Sequence, residues 1–164
     1  MIIISKYSLE FNKNEGSYIV RAEDMVICPV CGCKCLKRKG RRKRIVFMSD
    51  GEKRLLKIRR LMCYQCKKIH HELPDIIVPY KRHCTETIEN IVAGVNAVCE
   101  ESTLHRIMAW WATIQLYIKC VLSSLSFKYG IVFSADKKLP EIVRSLANTN
   151  LWPGTRSASM PAET

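Results

Sequence analysis

The stretch from Cys28 to Cys66 decides the fold, opening with Cys28-Pro-Val-Cys-Gly32 and closing with Cys63-Tyr-Gln-Cys66. Each end is a Cys-x-x-Cys motif, in which two thiolates on one tight turn can bind one side of a metal ion. Two such turns supply four sulfur ligands, the closed set that is typical of structural zinc, because catalytic zinc keeps an open position. The spacing therefore predicts one structural Zn²⁺ on four ligands: Cys28, Cys31, Cys63 and Cys66.

The residues between the two motifs predict a β-hairpin. Two β-prone runs, 41–48 and 53–62, are joined by Ser49-Asp-Gly-Glu52. Asp-Gly between such runs is a strong hairpin signal, because a type I′ turn needs positive φ at both central residues. A hairpin would bring the two cysteine motifs together, so we expect a zinc ribbon.

Other side chains could replace individual ligands. Cys33 or Cys35 could take the place of Cys31, and His70 or His71 could take the place of Cys66. We expect the cysteines outside the two motifs to be small buried hydrophobic residues or incidental thiols: Cys33, Cys35, Cys84, Cys99 and Cys120. The first residues show no signal-peptide pattern, which predicts a cytoplasmic protein with reduced thiols.

Positive charge is concentrated between the two motifs. Residues 36–62 carry twelve Lys and Arg against Asp50 and Glu52, which is +10 of the chain's net charge of +12. Such a density of cations predicts an anionic partner, nucleic acid first, bound mainly through phosphates. The candidate contacts are Lys37, Arg38, Lys39, Arg41, Arg42, Lys43, Arg44, Lys53, Arg54, Lys57, Arg59 and Arg60.

The rest of the chain predicts small β elements before the ribbon and helices after it. Residues 1–5 and 17–20 are β-prone, and prolines 74 and 79 predict an extended linker that ends the ribbon. Helices are expected over 85–94, with Thr85 as N-cap, from Ser102 onward, and over 139–147, with Pro140 in the first turn. The predicted class is α+β, with a zinc-ribbon domain at 1–83, a helix-turn-helix-like domain at 84–150 and a disordered tail at 151–164.

The second helix carries a long apolar stripe. Its expected core residues are Leu104, Ile107, Met108, Trp111, Ile114, Ile118, Val121, Leu122 and Leu125. The segment 107–127 has a single charge, Lys119, but its polar residues favour a buried helix over a membrane span. Thr103, His105 and Arg106 lie off the stripe in the first turns, where a recognition helix would read bases.

Several motifs together resemble a bacterial family of unknown function. They are Cys28-Pro-Val-Cys-Gly32, the Arg41-Arg-Lys-Arg44 run, the segment from Lys57 through Cys66 to Asp75, Cys99-Glu-Glu-Ser-Thr-Leu-His-Arg106 and the closing Asn150-Leu-Trp-Pro-Gly-Thr-Arg156. The members of that family resemble the N-terminal zinc-ribbon and helix-turn-helix region of insertion-sequence transposases. Over residues 25–156, the resemblance implies zinc and DNA binding.

Three functions fit the sequence. The favoured one is a DNA-binding transposition accessory or transcriptional regulator that is not an enzyme, because too few residues follow the long helix to form a ribonuclease-H-like catalytic domain. The alternatives are an RNA-binding or protein-bridging zinc ribbon and an inactive transposase remnant. Duplex DNA is favoured over RNA because the narrow major groove of RNA excludes a helix.

Overall fold

The protein is an α+β structure of six strands and three helices in the part of the chain that the computed structural model describes, residues 1–130, 132 and 137–153. The strands are β1 Ile2–Ile4, β2 Tyr7–Asn12, β3 Ser17–Ala22, β4 Leu36–Phe47, β5 Lys53–Cys63 and β6 Ile69–Pro74. The helices are α1 Thr85–Val92, α2 Glu101–Tyr129 and α3 Leu139–Asn148. The predicted α+β class is therefore confirmed.

Strand β5 is the centre of the sheet. Its one edge pairs with β4 in the predicted antiparallel hairpin, from Phe47 opposite Lys53 to Leu36 opposite Cys63. Its other edge is shared, because β3 pairs with its middle and β6 with its C-terminal end. β1 then pairs with β6 and β2 with β3, which leaves β4 as an edge strand.

The hairpin turn differs from the predicted type I′ turn. Gly51 has a φ of +85°, whereas Asp50 is not among the residues with positive φ. The Asp50 carboxylate instead accepts a hydrogen bond of 2.8 Å from the backbone N–H of Glu52. The wider loop is closed by the N–H of Met48, which donates to the Glu52 carbonyl at 2.9 Å.

Two strands lie where the sequence analysis placed none. β2 pairs with β3 along its whole length, and β6 lies in the segment that the prolines predicted to be a linker. Pro74 is the last residue of β6. A proline at a strand end removes no interior hydrogen bond from the ladder, so the strand can form before it.

One hydrophobic core joins the sheet to the helices. Leu56 of β5, Ile77, Ile88 of α1, Ile107 of α2 and Val143 of α3 are all buried in a single cluster. The cluster thus contains residues from both sides of the domain boundary expected at residue 83.

The end of α3 is fastened to the sheet by one asparagine. The Asn148 side chain accepts from the N–H of Ile3 at 2.8 Å and donates to the Ile3 carbonyl at 2.9 Å. These two bonds satisfy backbone groups of β1 that a third strand would otherwise pair.

Helix α2 is buried along a narrower stripe than the sequence predicts. Its buried side chains are Ile107, Ile114, Ile118, Leu122 and Leu125, while Trp111 and Val121 are half-buried. Leu104 and Met108 are 37% and 41% exposed, so their placement in the core was wrong. α1 and α3 pack against this helix, and Leu104 and Met108 lie outside its buried stripe.

The helix boundaries are close to those predicted. α2 begins at Glu101, one residue before Ser102, and Thr85 is the first residue of α1 rather than its N-cap, which is Cys84. α3 has Pro140 in its first turn, as predicted. Among the described residues, no helix combines the length and apolar character that crossing a bilayer requires. The predicted disordered tail lies almost wholly outside the described residues.

Candidate metal centre and nucleic-acid interface

The two Cys-x-x-Cys turns meet at one end of the β4–β5 hairpin. The first turn precedes β4, and it is closed by the N–H of Gly32, which donates to the Cys28 carbonyl at 2.9 Å. Gly32 has a φ of +73°, a left-handed conformation that glycine adopts without steric cost. The second turn joins β5 to β6, and the N–H of Tyr64 donates to the Cys35 carbonyl at 3.0 Å, which holds the two turns together.

The four sulfur atoms of this site lie within metal-binding distance of one another. The Sγ atoms of Cys28, Cys31, Cys63 and Cys66 are all within 4.8 Å. The Cys28–Cys66 and Cys31–Cys63 separations are 3.6 and 3.5 Å. Four sulfurs placed tetrahedrally at about 2.3 Å from a zinc ion would be about 3.8 Å apart. The quartet can therefore hold a metal ion, as the spacing predicted.

Hydrogen-bond donors surround the sulfurs. The pKa of the Cys63 thiol is lowered to about 6, chiefly because the backbone N–H of Cys66 donates to its sulfur. Similar backbone donors reach Cys31 from Cys33 and Cys66 from Lys68. Such N–H groups stabilise thiolate, which is the form of cysteine that binds metals. The pKa values of Cys31 and Cys66 are nevertheless raised, that of Cys31 to about 12, because burial and hydrogen bonds with neighbouring thiols outweigh the backbone donors.

The side-chain competitors lie outside the quartet. His71 points away from it, since neighbouring residues of a strand project to opposite faces. His70 is buried, with its Nε2 atom 3.3 Å from the Sγ of Cys28. That contact makes His70 a hydrogen-bonding neighbour of a ligand, a position in which histidine orients the ligand and tunes its basicity.

The other five cysteines do not join the site, and no disulfide links any of the described cysteines. The Cys33 sulfur accepts from the N–H of Cys35 at 3.1 Å. Cys84 is buried, as expected for a small hydrophobic residue, whereas Cys120 is exposed on α2.

Four of the twelve predicted cationic contacts have partners within the protein. Arg59 donates to the fully buried Glu72 carboxylate through Nε at 2.5 Å and Nη2 at 2.7 Å. Lys57 forms an ion pair with Glu15, and Arg54 forms one with Glu52 at 2.7 Å. Arg44 donates to the Lys81 carbonyl at 2.7 Å. These four side chains stabilise the sheet and are poor candidates for contacts with a ligand.

The remaining eight cations form no ion pair in the described part of the chain. Six of them lie on β4 and form what we call the β4 cation row: Lys37, Arg38, Lys39, Arg41, Arg42 and Lys43. Lys53 and Arg60 on β5 complete the set. All of the row except the half-buried Arg41 is exposed.

The three predicted base-reading residues on α2 do not point the same way. His105 is exposed and lies 3.8 Å from Glu101. Arg106 bends back along the helix, donating to the Ser102 carbonyl at 3.1 Å and to Thr103 Oγ1 at 3.0 Å. Thr103 and Arg106 both line a cavity between α2 and the hairpin turn.

Sequence reasoning missed the segment opposite these residues in the same cavity. Lys81, Arg82 and His83 line it, although the segment was expected to be only a linker. The three consecutive basic residues were the available signal. Their position beside α2 depends on tertiary structure.

One family model matches the part of the chain that contains the cysteine quartet and the hairpin. A family model described as "Domain of unknown function (DUF6431)" matches residues 28–107, from the first cysteine of the quartet into the first turns of α2. This half of the chain is similar to that family. No curated protein and no solved structure matches the chain.

Proposed function

We propose that the protein binds duplex DNA through the β4 cation row, on a sheet whose end is held by one structural Zn²⁺. In this proposal it is a transposase-related DNA-binding protein, acting as a transposition accessory or a transcriptional regulator, and it catalyses no reaction. Thr103, His105 and Arg106 remain candidates for contacts with bases.

The observation that carries the proposal is the unequal neutralisation of the two hairpin strands. Arg41 lies directly opposite Arg59, and Lys43 lies directly opposite Lys57. Like charges at opposed positions destabilise a sheet. On β5 each of these cations forms an ion pair with an acid, whereas their β4 partners form no ion pair with any residue that the structure describes.

Because these β4 cations form no ion pair with described residues, the electrostatic potential along β4 is positive. The pKa of Arg41 is lowered, first by desolvation and then by the neighbouring charges of Arg38, Arg21 and Arg59. A polyanion placed along β4 would relieve this repulsion, and it would release its own counterions as it bound. The strand geometry suits a chain of phosphates, because side chains on one face repeat about every 6.7 Å.

Protection of a sheet edge is the competing explanation for these charges. Edge strands commonly carry Lys to prevent pairing with other chains. One or two charges serve that purpose, whereas β4 carries seven cations in twelve residues. The excess favours a ligand over protection alone.

Zinc is the metal we propose for the quartet. Four thiolates are soft ligands, which suit zinc and iron–sulfur chemistry and not magnesium or calcium. The separations of 3.5 and 3.6 Å match a single ion with four sulfur ligands. Four protein ligands leave no open position, so the ion would have a structural role.

The test is a salt series of binding isotherms with the metal-loaded protein, on a random-sequence DNA duplex and on single-stranded RNA of equal length. Metal content is measured on the same preparation. We expect one zinc per chain and tighter binding to duplex DNA, with log K falling steeply against log salt. A slope near zero on both ligands would support edge protection, and tighter binding to RNA would support the RNA-binding alternative.

A further inference from the structure

A cavity of about 670 Å³ lies where the hairpin turn, the segment 80–83 and the first turns of α2 meet. We call it the hairpin–helix cavity. Its volume falls in the range of about 300 to 1,000 Å³ that is usual for small-ligand sites. The metal quartet lies at the opposite end of the hairpin, so the cavity is a separate feature.

The walls of the cavity are held in place before any ligand binds. The N–H of Phe47 donates to the Arg82 carbonyl at 2.7 Å, and the N–H of Cys84 donates to the Phe47 carbonyl at 2.9 Å. These bonds fasten the segment to the end of β4. At the hairpin turn, a Cβ on Gly51 would lie 2.9 Å from Cγ1 of Val98, so the turn contacts the α1–α2 link closely.

The lining is cationic. Lys81, Arg82 and Arg106 line the cavity with His83, against one acid, Glu100. The Nδ1 atom of His83 is buried and has no hydrogen-bond partner among the described residues. A buried polar atom of this kind is normally satisfied by a ligand or an ordered water.

The lining is also aromatic. The rings of Phe47 and His83 are stacked, with centroids 5.3 Å apart and planes at 25°. Tyr80 is 40% exposed and has a φ of +66°, a strained conformation for a bulky side chain. Strain of this kind is found preferentially at functional sites.

The cavity continues the line of the β4 cation row. Phe47, which ends β4, is four residues beyond Lys43, the last residue of the row, a distance of about 13 Å along a strand. A nucleic-acid strand on the row would reach the cavity with its next units. The cavity is concave, so it can accept a single group that enters it. It does not match the continuous surface of a double helix.

We infer that the hairpin–helix cavity binds one unpaired nucleotide, with its base against the aromatic rings of Phe47 and Tyr80 and its phosphate on Arg82 and Arg106. For a nucleotide within a strand, the inference rests on the proposed function. A free nucleoside monophosphate presents the same two groups, a base and a phosphate. Base stacking on aromatic rings tolerates any base, and the planar guanidinium groups match phosphate oxygens.

The experiment compares two DNA duplexes that differ only in one extrahelical adenosine, using fluorescence anisotropy with the full-length, metal-loaded chain. We expect the wild-type protein to bind the bulged duplex about tenfold more tightly than the plain duplex, the effect of one stacked base. Adenosine monophosphate should compete away this preference.

Two variants locate the preference. Phe47→Leu keeps the backbone bonds and removes the ring, and Arg82→Gln removes an exposed cation from the segment 80–83. Each should reduce the tenfold preference at least threefold and change plain-duplex binding less. The matched control is Phe11→Leu, which removes an exposed ring from β2.

The outcomes separate the two proposals. Equal wild-type affinity for the two duplexes, or a preference that survives in both variants, overturns the cavity assignment. If neither duplex binds, the proposed function fails. In that case, calorimetric binding of adenosine monophosphate that Arg82→Gln abolishes supports the cavity as a free-nucleotide site, and no binding overturns it.

Discussion

Removing three exposed charges from the β4 cation row should flatten the salt dependence of DNA binding by a calculable amount. The variant is Lys39→Gln with Arg42→Gln and Lys43→Gln. None of these residues forms an ion pair with another described residue, and all are exposed. Exposed substitutions of this kind usually change stability by less than about 0.5 kcal/mol, so the sheet should remain folded.

The magnitude follows from the number of unpaired cations. With about 0.9 counterions released per phosphate contact, the eight hairpin cations that pair with no described acid predict a slope of log K against log salt of about −7. Removing three predicts about −4.5. Between 50 and 200 mM salt, binding should therefore weaken by about four decades for the wild type and by about 2.7 decades for the variant.

The assay is fluorescence anisotropy on one random-sequence duplex at four or more salt concentrations. The control variant carries Lys13→Gln, Lys119→Gln and Lys128→Gln, three exposed lysines outside the hairpin whose loss changes the net charge equally. The control should keep the steep slope. If both variants flatten the slope by the same amount, net charge and not β4 determines binding, and the reasoning from strand geometry is refuted.

Three further predictions concern the scaffold. Cys63→Ser should lose the bound zinc while Cys120→Ser keeps it, as measured by mass spectrometry of metal content; equal content in both would contradict the quartet. Glu72→Gln should lower the free energy of unfolding in urea by about 3 kcal/mol, because it leaves a half-buried guanidinium without its carboxylate. Glu52→Gln, which breaks an exposed ion pair, should cost less than about 1 kcal/mol, and similar losses would argue against a special role for the buried pair. His70→Gln should weaken zinc binding about tenfold in a chelator competition, and unchanged affinity would show that its contact with the sulfur is incidental.

Local sequence determined the features that depend on near neighbours. The two Cys-x-x-Cys motifs, the Asp-Gly turn and Pro140 each act within a few residues, so the cysteine quartet, the hairpin and α3 could be predicted. The concentration of charge between 36 and 62 was equally visible, since it depends on composition alone.

Tertiary structure decided which of those charges are available. Lys57 is neutralised by Glu15, which is 42 residues away in sequence. Glu15 lies in the turn between β2 and β3, and the pairing of β3 with β5 brings this turn near the hairpin. Glu72 reaches Arg59 because β6 lies beside β5, in a segment whose prolines suggested no strand.

Strand register decided the histidine beside the metal site. His70 lies opposite Leu61 on β5, and its neighbour His71 lies opposite Arg60. Because side chains alternate across a strand, a shift of one residue would exchange the two histidines. The sequence named both as candidates, and only the pairing with β5 places His70 against Cys28. Tertiary structure also forms the hairpin–helix cavity, because three segments distant in sequence meet there. The hydrogen bonds of Phe47 and the packing of α2 on the core bring these segments together.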